Sequence, residues 1–305
     1  MAVSNQQDTS LATGTLIGLM TPSVVRKAAP YVNKRLMKNL ISANRNCTLE
    51  EIDAFDKAAE TALKENKLDT FGVTLNKVNK FSELSEKDIK AFKEIDKLPL
   101  SKEAKFNRKL LVSPTYQAMN GLNANFSFLD KKITYNKELM PATVFHEMGH
   151  AKNYTQSFIG KSLQRLSLFT QSYGRNVKAA SLISFLTILA PSASEQKDKP
   201  MTNTDKTIAA FRKYGALLTM LPFLPTAIEE GMASHKGENM AKKYLSSDLL
   251  KRVKKSNRNG FLTYILTPVL WGIGTALGVK AKDNIIKAEI QADKNRLANQ
   301  PVHNL

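Results

Sequence analysis

The chain has little cysteine, tryptophan and histidine, and few acidic residues for its many basic ones. Its single cysteine, Cys47, excludes an intramolecular disulfide and any zinc-finger spacing of thiols. Aromatic residues are only 8% of the chain, and no basic strand is interleaved with them, so no nucleic-acid motif accompanies the positive charge. Acidic residues number 27 against 45 basic ones, giving a net charge of +18. Such an excess suits anionic surroundings, and beside apolar segments it suits an anionic membrane surface best. The first ten residues lack a basic run, and the apolar stretch Leu11–Val25 contains Pro22. That stretch reads as a surface anchor or a buried helix, not as a signal peptide.

Two of the four histidines stand together in His146-Glu147-Met148-Gly149-His150. On a helix, positions i and i+4 share a face, so both imidazoles can reach one metal ion. A zinc ion held with one position open polarises a carbonyl and acidifies a water. Glu147, beside the first histidine, can take that water's proton. Pro141 suits a first helical position. Val144, Phe145, Met148 and Ala151 give the helix an apolar face to pack. Gly149 is a weak helix former, which makes sense if another element packs closely there.

A third ligand is needed, and His150-x-x-Asn153-x-x-Gln156 lacks the glycine and histidine of the extended metzincin motif. Between Ala151 and Ile228 the only carboxylates are Glu195, Asp198 and Asp205, all in one polar segment. Glu229 and Glu230 follow. Glu230 has Ala233 three residues on, which leaves room beside the motif helix; Glu229 remains the alternative.

The chain resembles the gluzincins of the HtpX and CAAX-prenyl-protease type, which are membrane-embedded zinc endopeptidases. His146-Glu147-Met148-Gly149-His150 is similar to the family's H-E-x-G-H form. Asn123–Phe128 and Lys132–Asn136 resemble its edge strand and the strand leading into the motif helix. An apolar hairpin follows the motif, and Glu230-Gly231-Met232-Ala233-Ser234 is similar to the E-x-x-A-D ligand helix. Ser234 stands where the family has aspartate, which bears on how a zinc histidine is oriented. The likeness covers roughly residues 110–240. It implies peptide-bond hydrolysis at one zinc ion held by His146, His150 and Glu230, with Glu147 as general base. It also implies a protein or peptide substrate lying along the strand near Asn125–Phe128, with His235 or Tyr154 as candidate oxyanion donors.

The expected fold is mainly helical with a small sheet: an α+β zincin-like core and an apolar helical hairpin between the ligand helices. Its expected divisions are an N-terminal helical region (1–108), the core (109–175), hairpin and third-ligand helix (176–248), and a basic run, apolar segment and C-terminal helix (249–305). Thr48 with Glu51 and Ser85 with Asp88 open helices through about Lys64 and Lys97. A short strand is expected near Leu110–Val112. Strands are expected at Phe126–Leu129 and Lys132–Asn136. Three segments lack charge: Ala179–Ser194, Tyr214–Ile228 and Asn259–Val279, of 16, 15 and 21 residues. Only the last reaches the roughly 20 residues a spanning helix needs. The basic run Lys251-Arg252-Val253-Lys254-Lys255 before it would place the site on the cytoplasmic side. The rival reading is a basic membrane- or nucleic-acid-associated binding protein with a structural or degenerate zinc site.

Overall fold

A computed structural model describes residues 2–191 and 202–299; most of the expected polar hairpin tip lies outside them. The chain is mainly helical, with one three-stranded sheet. Helix α1 (Ala2–Asn44) carries Pro22 and Pro30 inside it, so Pro22 does not end the apolar stretch. A proline removes one helical hydrogen bond, and a long helix can tolerate that loss.

Helix α2 (Leu49–Glu65) starts at the expected capping box. Thr48 Oγ1 accepts from the Glu51 N–H at 3.2 Å, and the Thr48 N–H donates to Glu51 at 3.0 Å. Strand β1 (Thr74–Val78) was not expected, because Asn76 and Lys77 break its apolar pattern. Both are satisfied in place: Asn76 bonds Thr134, and Lys77 pairs with Asp56 and Glu60. Helix α3 (Glu86–Lys97) is capped by Ser85 as expected. Leu110–Val112 is not a strand; it ends helix α4 (Lys102–Val112), which Ser101 caps. Three apolar residues are too few to outweigh a helix already nucleated upstream. Helix α5 (Pro114–Met119) leads to strands β2 (Asn125–Ser127) and β3 (Lys132–Asn136). The sheet order is β1-β3-β2, with β1 parallel and β2 antiparallel to β3. Strand β2 is therefore an edge, and the helix that follows β3 packs on both of them.

A 3-10 turn at Pro141–Thr143 opens helix α6 (Val144–Gln156), which holds the motif. Helix α7 (Phe158–Gln171) follows, then the hairpin of α8 (Arg175–Leu189) and α9 (Asn203–Leu218). Pro222 and Pro225 divide the second apolar segment: α9 stops, and helix α10 (Leu224–Tyr244) begins after a turn at Leu221–Phe223. Helix α11 (Ser247–Ala298) contains the third apolar segment and is the one described helix long and apolar enough to cross a membrane.

The chain divides into two compact units, each assembled from separate stretches of sequence. One comprises residues 33–168 and 225–264. Its core joins Phe55 of α2, Tyr135 of β3, Phe145 and Met148 of α6, and Met240 of α10. The other comprises residues 1–32, 169–224 and 265–305. Around Trp271 its buried positions include Ser184, Thr187, Thr219, Thr275 and Lys282, while Leu16, Leu19, Leu182, Leu217 and Leu277 are exposed. Thr275 donates to Ser184 at 2.8 Å, and the Lys282 ammonium donates to the Leu189 carbonyl at the end of α8 at 3.0 Å.

Candidate metal centre

The motif helix is anchored before it begins. Asn44 is fully buried, and its Oδ1 accepts from the Ala142 N–H at 3.0 Å, one of the donors left unpaired at a helix start. Its Nδ2 donates to Ser256 of α11 at 2.9 Å. Two glycines then bring α6 and α10 backbone to backbone. A Cβ on Gly149 would overlap the Ala233 carbonyl, and one on Gly237 would overlap the Phe145 carbonyl. This close approach is what Gly149 and Ala233 suggested in sequence. Gly149→Ala should therefore destabilise the fold by about 1–3 kcal/mol, since a backbone carbonyl cannot move aside as a side chain can. A thermal melt of the metal-free chain checks it; an unchanged midpoint would contradict the packing.

Between these helices the histidine Nε2 atoms converge. His146 Nε2 lies 2.9 Å from His150 Nε2 and 3.1 Å from Glu230 Oε2. His150 Nε2 lies 3.6 Å from the same Glu230 oxygen. Each ring's other nitrogen is held from behind. His150 Nδ1 is 2.8 Å from Glu229 Oε1, and a carboxylate only accepts, so the imidazole donates. His146 Nδ1 is 3.2 Å from the Ser234 hydroxyl. Asn153 Nδ2 donates to the Glu229 carboxylate at 3.3 Å, which steadies it in turn. The two carboxylates that sequence left as alternatives thus face different nitrogens: Glu230 the inner pair, Glu229 the outer Nδ1. These buried His and Glu groups can hold a metal ion.

Glu147 is also buried, on a helix that packs against β2 and β3. Burial raises its pKa, and the two histidines oppose that only in part. Burial would lower the pKa of His150, but Glu229 and Glu230 outweigh it and raise it well above the usual value. Glu230 is held well below the usual carboxylate range: burial pushes it up, but His150 and His146 outweigh that. A cation bound here would keep Glu230 ionised and would take the place of the proton on the inner histidine nitrogen.

No family model, curated protein or solved structure matches the chain. The family likeness therefore rests on the residues quoted for it alone.

Both candidate oxyanion donors are engaged with other side chains. His235 bonds Asn239 at 3.0 Å, and Tyr154 packs against Phe126 and Phe128, with Lys161 over its ring. Sequence reasoning missed Asn257 of α11, whose Nδ2 donates to the Ser234 carbonyl at 3.2 Å, and Phe261, which lies beside Gly231. The available signal was the run Asn257, Phe261, Tyr264, one face of a helix at i, i+4 and i+7.

Proposed function

We propose that this protein is a zinc-dependent metalloendopeptidase of the gluzincin type, seated at a membrane. The observation carrying this reading is the Nε2, Nε2, Oε2 triangle of His146, His150 and Glu230, with edges of 2.9, 3.1 and 3.6 Å. Tetrahedral zinc with bonds of about 2.0–2.1 Å needs ligand atoms about 3.3 Å apart, so the residues present fit the ion. Two imidazoles and one carboxylate, with no sulfur, are a donor set of catalytic rather than structural zinc sites. When bound there, zinc would supply Lewis acidity and a readily deprotonated water. Glu147 takes the water's proton and returns it to the leaving amine, and its raised pKa suits both halves of that task. Glu229 and Ser234 fix the ring orientations of His150 and His146. The open edge of β2 offers backbone groups to an extended substrate.

Three features support the membrane seat. Helix α11 has the length and composition to span. The unit around Trp271 buries small and hydroxylated residues and exposes leucines, the arrangement of helices packed within lipid. Lys251, Lys254, Lys255 and Arg258 are all exposed and lie on one face of α11 just before its apolar part. By the positive-inside rule that end, and the zinc site with it, faces the cytoplasm.

The test is cleavage of an unfolded protein substrate by the full chain in detergent. Cleavage should stop on chelation and return with zinc. Bound zinc with no cleavage of any unfolded substrate would favour a binding protein with a structural metal. Membrane fractions washed with alkaline carbonate should keep the chain in the pellet; its release would contradict a spanning α11.

A further inference from the structure

We propose that the groove between α9 and α11 binds one anionic phospholipid, with its phosphate on Lys213 and Arg212 and an acyl chain between the helices. This site draws on the membrane seat but not on the peptidase reading. Three glycines pack α8, α9 and α11 together. A Cβ on Gly215 would overlap Thr187 of α8, one on Gly278 would overlap Ile188, and one on Gly272 would press on the Ala216 carbonyl of α9. Away from Gly272, α9 and α11 part. Ala216 meets α11 at its backbone, whereas Arg212, one turn earlier, meets it through a long side chain at Asp283. These two contacts are about 6 Å apart along α9 but about 16 Å apart along α11, so the helices do not run side by side between them. The space left is a groove of about 390 Å³, within the range of small-ligand sites. Ala209 and Ala216 wall it on α9, and Ala276 and Val279 on α11. Side chains this small leave the wall apolar and the gap unfilled.

The charged end is held in place before any ligand arrives. The Arg212 side chain is only 10% exposed; its Nη1 donates to the Ala190 carbonyl and its Nη2 pairs with Asp283. Those bonds use two of the five guanidinium donors, and the group lines the groove. Lys213 lines it too and is exposed. Among the described residues its ammonium contacts only the Tyr214 ring, at 5.2 Å, so its flexible stem can carry it to a phosphate. Arg212 and Lys213 against Asp283 leave one positive charge on the lining, the complement of a phosphodiester. The groove also lies where the apolar stretch of α11 ends, since Val279 precedes Lys280. In a spanning helix that is the depth of the headgroups. Ala276 lies on the hydrocarbon side of it, where an acyl chain runs and a water-soluble anion has no reason to bind.

Native mass spectrometry of the full chain, released from detergent micelles after titration with phosphatidylglycerol or phosphatidylcholine, tests this. Phosphatidylglycerol should bind at one per chain and about fivefold tighter than phosphatidylcholine, the worth of one lysine at a headgroup. Lys213→Gln should abolish that preference. Ala276→Phe, at an exposed position, should fill the groove and remove the one-to-one complex with either lipid. Lys206→Gln, an exposed lysine of α9 outside the groove, should change nothing. Glycerol phosphate in large excess should not displace the lipid; displacement would give the groove to a free phosphate and overturn the proposal. Equal affinity for the two lipids, an intact complex in Ala276→Phe, or equal effects of Lys206→Gln and Lys213→Gln would overturn it as well. Release of the chain in the carbonate wash would instead contradict the membrane seat, and lipid binding in detergent is read separately from it.

Discussion

Replacing Glu147 by glutamine is expected to leave one zinc ion per chain and to lower kcat by at least about 10²–10⁴-fold, the usual contribution of a positioned acid-base group. Glutamine has nearly the same shape as glutamate. It fills the same buried space, so β2 and α6 should stay where they are. What it cannot do is accept a proton. Burial raises the Glu147 pKa, which makes this carboxylate a stronger proton acceptor than an exposed one. The measurement is turnover of an unfolded substrate alongside zinc content. Retained turnover in a zinc-loaded Glu147→Gln variant would remove the general base from the mechanism.

Glu230→Ala and Glu229→Ala are expected to differ sharply in metal content. Glu230 Oε2 is 3.1 Å from His146 Nε2 and faces the converging nitrogens, so its loss removes a ligand and should empty the site at micromolar zinc. Glu229 faces His150 Nδ1 at 2.8 Å, behind the ring. Its loss should loosen the ring and weaken zinc by about 10–100-fold without abolishing binding. This second effect gains weight from Ser234. The resemblance places at 234 an aspartate that orients a zinc histidine, but here that position holds a neutral hydroxyl, 3.2 Å from His146 Nδ1. The carboxylate support is on the second histidine instead. Elemental analysis of both variants across a zinc titration checks the pair. Equal losses, or the reverse order, would exchange the roles of the two glutamates.

Much of this site was legible because its information is local. His146, Glu147 and His150 fall on one helical face by spacing alone. Gly149 and Ala233 announced a close helix crossing, and Thr48, Glu51 and Ser85 announced helix starts that the structure keeps. Lys132–Asn136 is a strand over the expected residues, and the neighbouring strand, expected at Phe126–Leu129, starts one residue and ends two residues earlier. What stayed hidden depends on partners distant in sequence. Glu229 and Glu230 are adjacent, and only packing against α6 decides which faces Nε2. Strand β1 satisfies Lys77 through carboxylates of α2, and no periodicity shows that. Asn44 ties α1 to the motif turn across 98 residues. Asn257 ties α11 to the ligand helix at Ser234, across 23 residues. Leu110–Val112 misled for the opposite reason: an apolar triplet looked like a strand, but its neighbours had already set a helix.

Zinc content of the purified full chain tests the central claim most directly. Wild-type protein, equilibrated with zinc and freed of loose metal, should hold one ion per chain, and His146→Ala should hold none while remaining folded. A folded wild type that takes up no zinc, or a His146→Ala variant that keeps its ion, would contradict the assignment of this cluster.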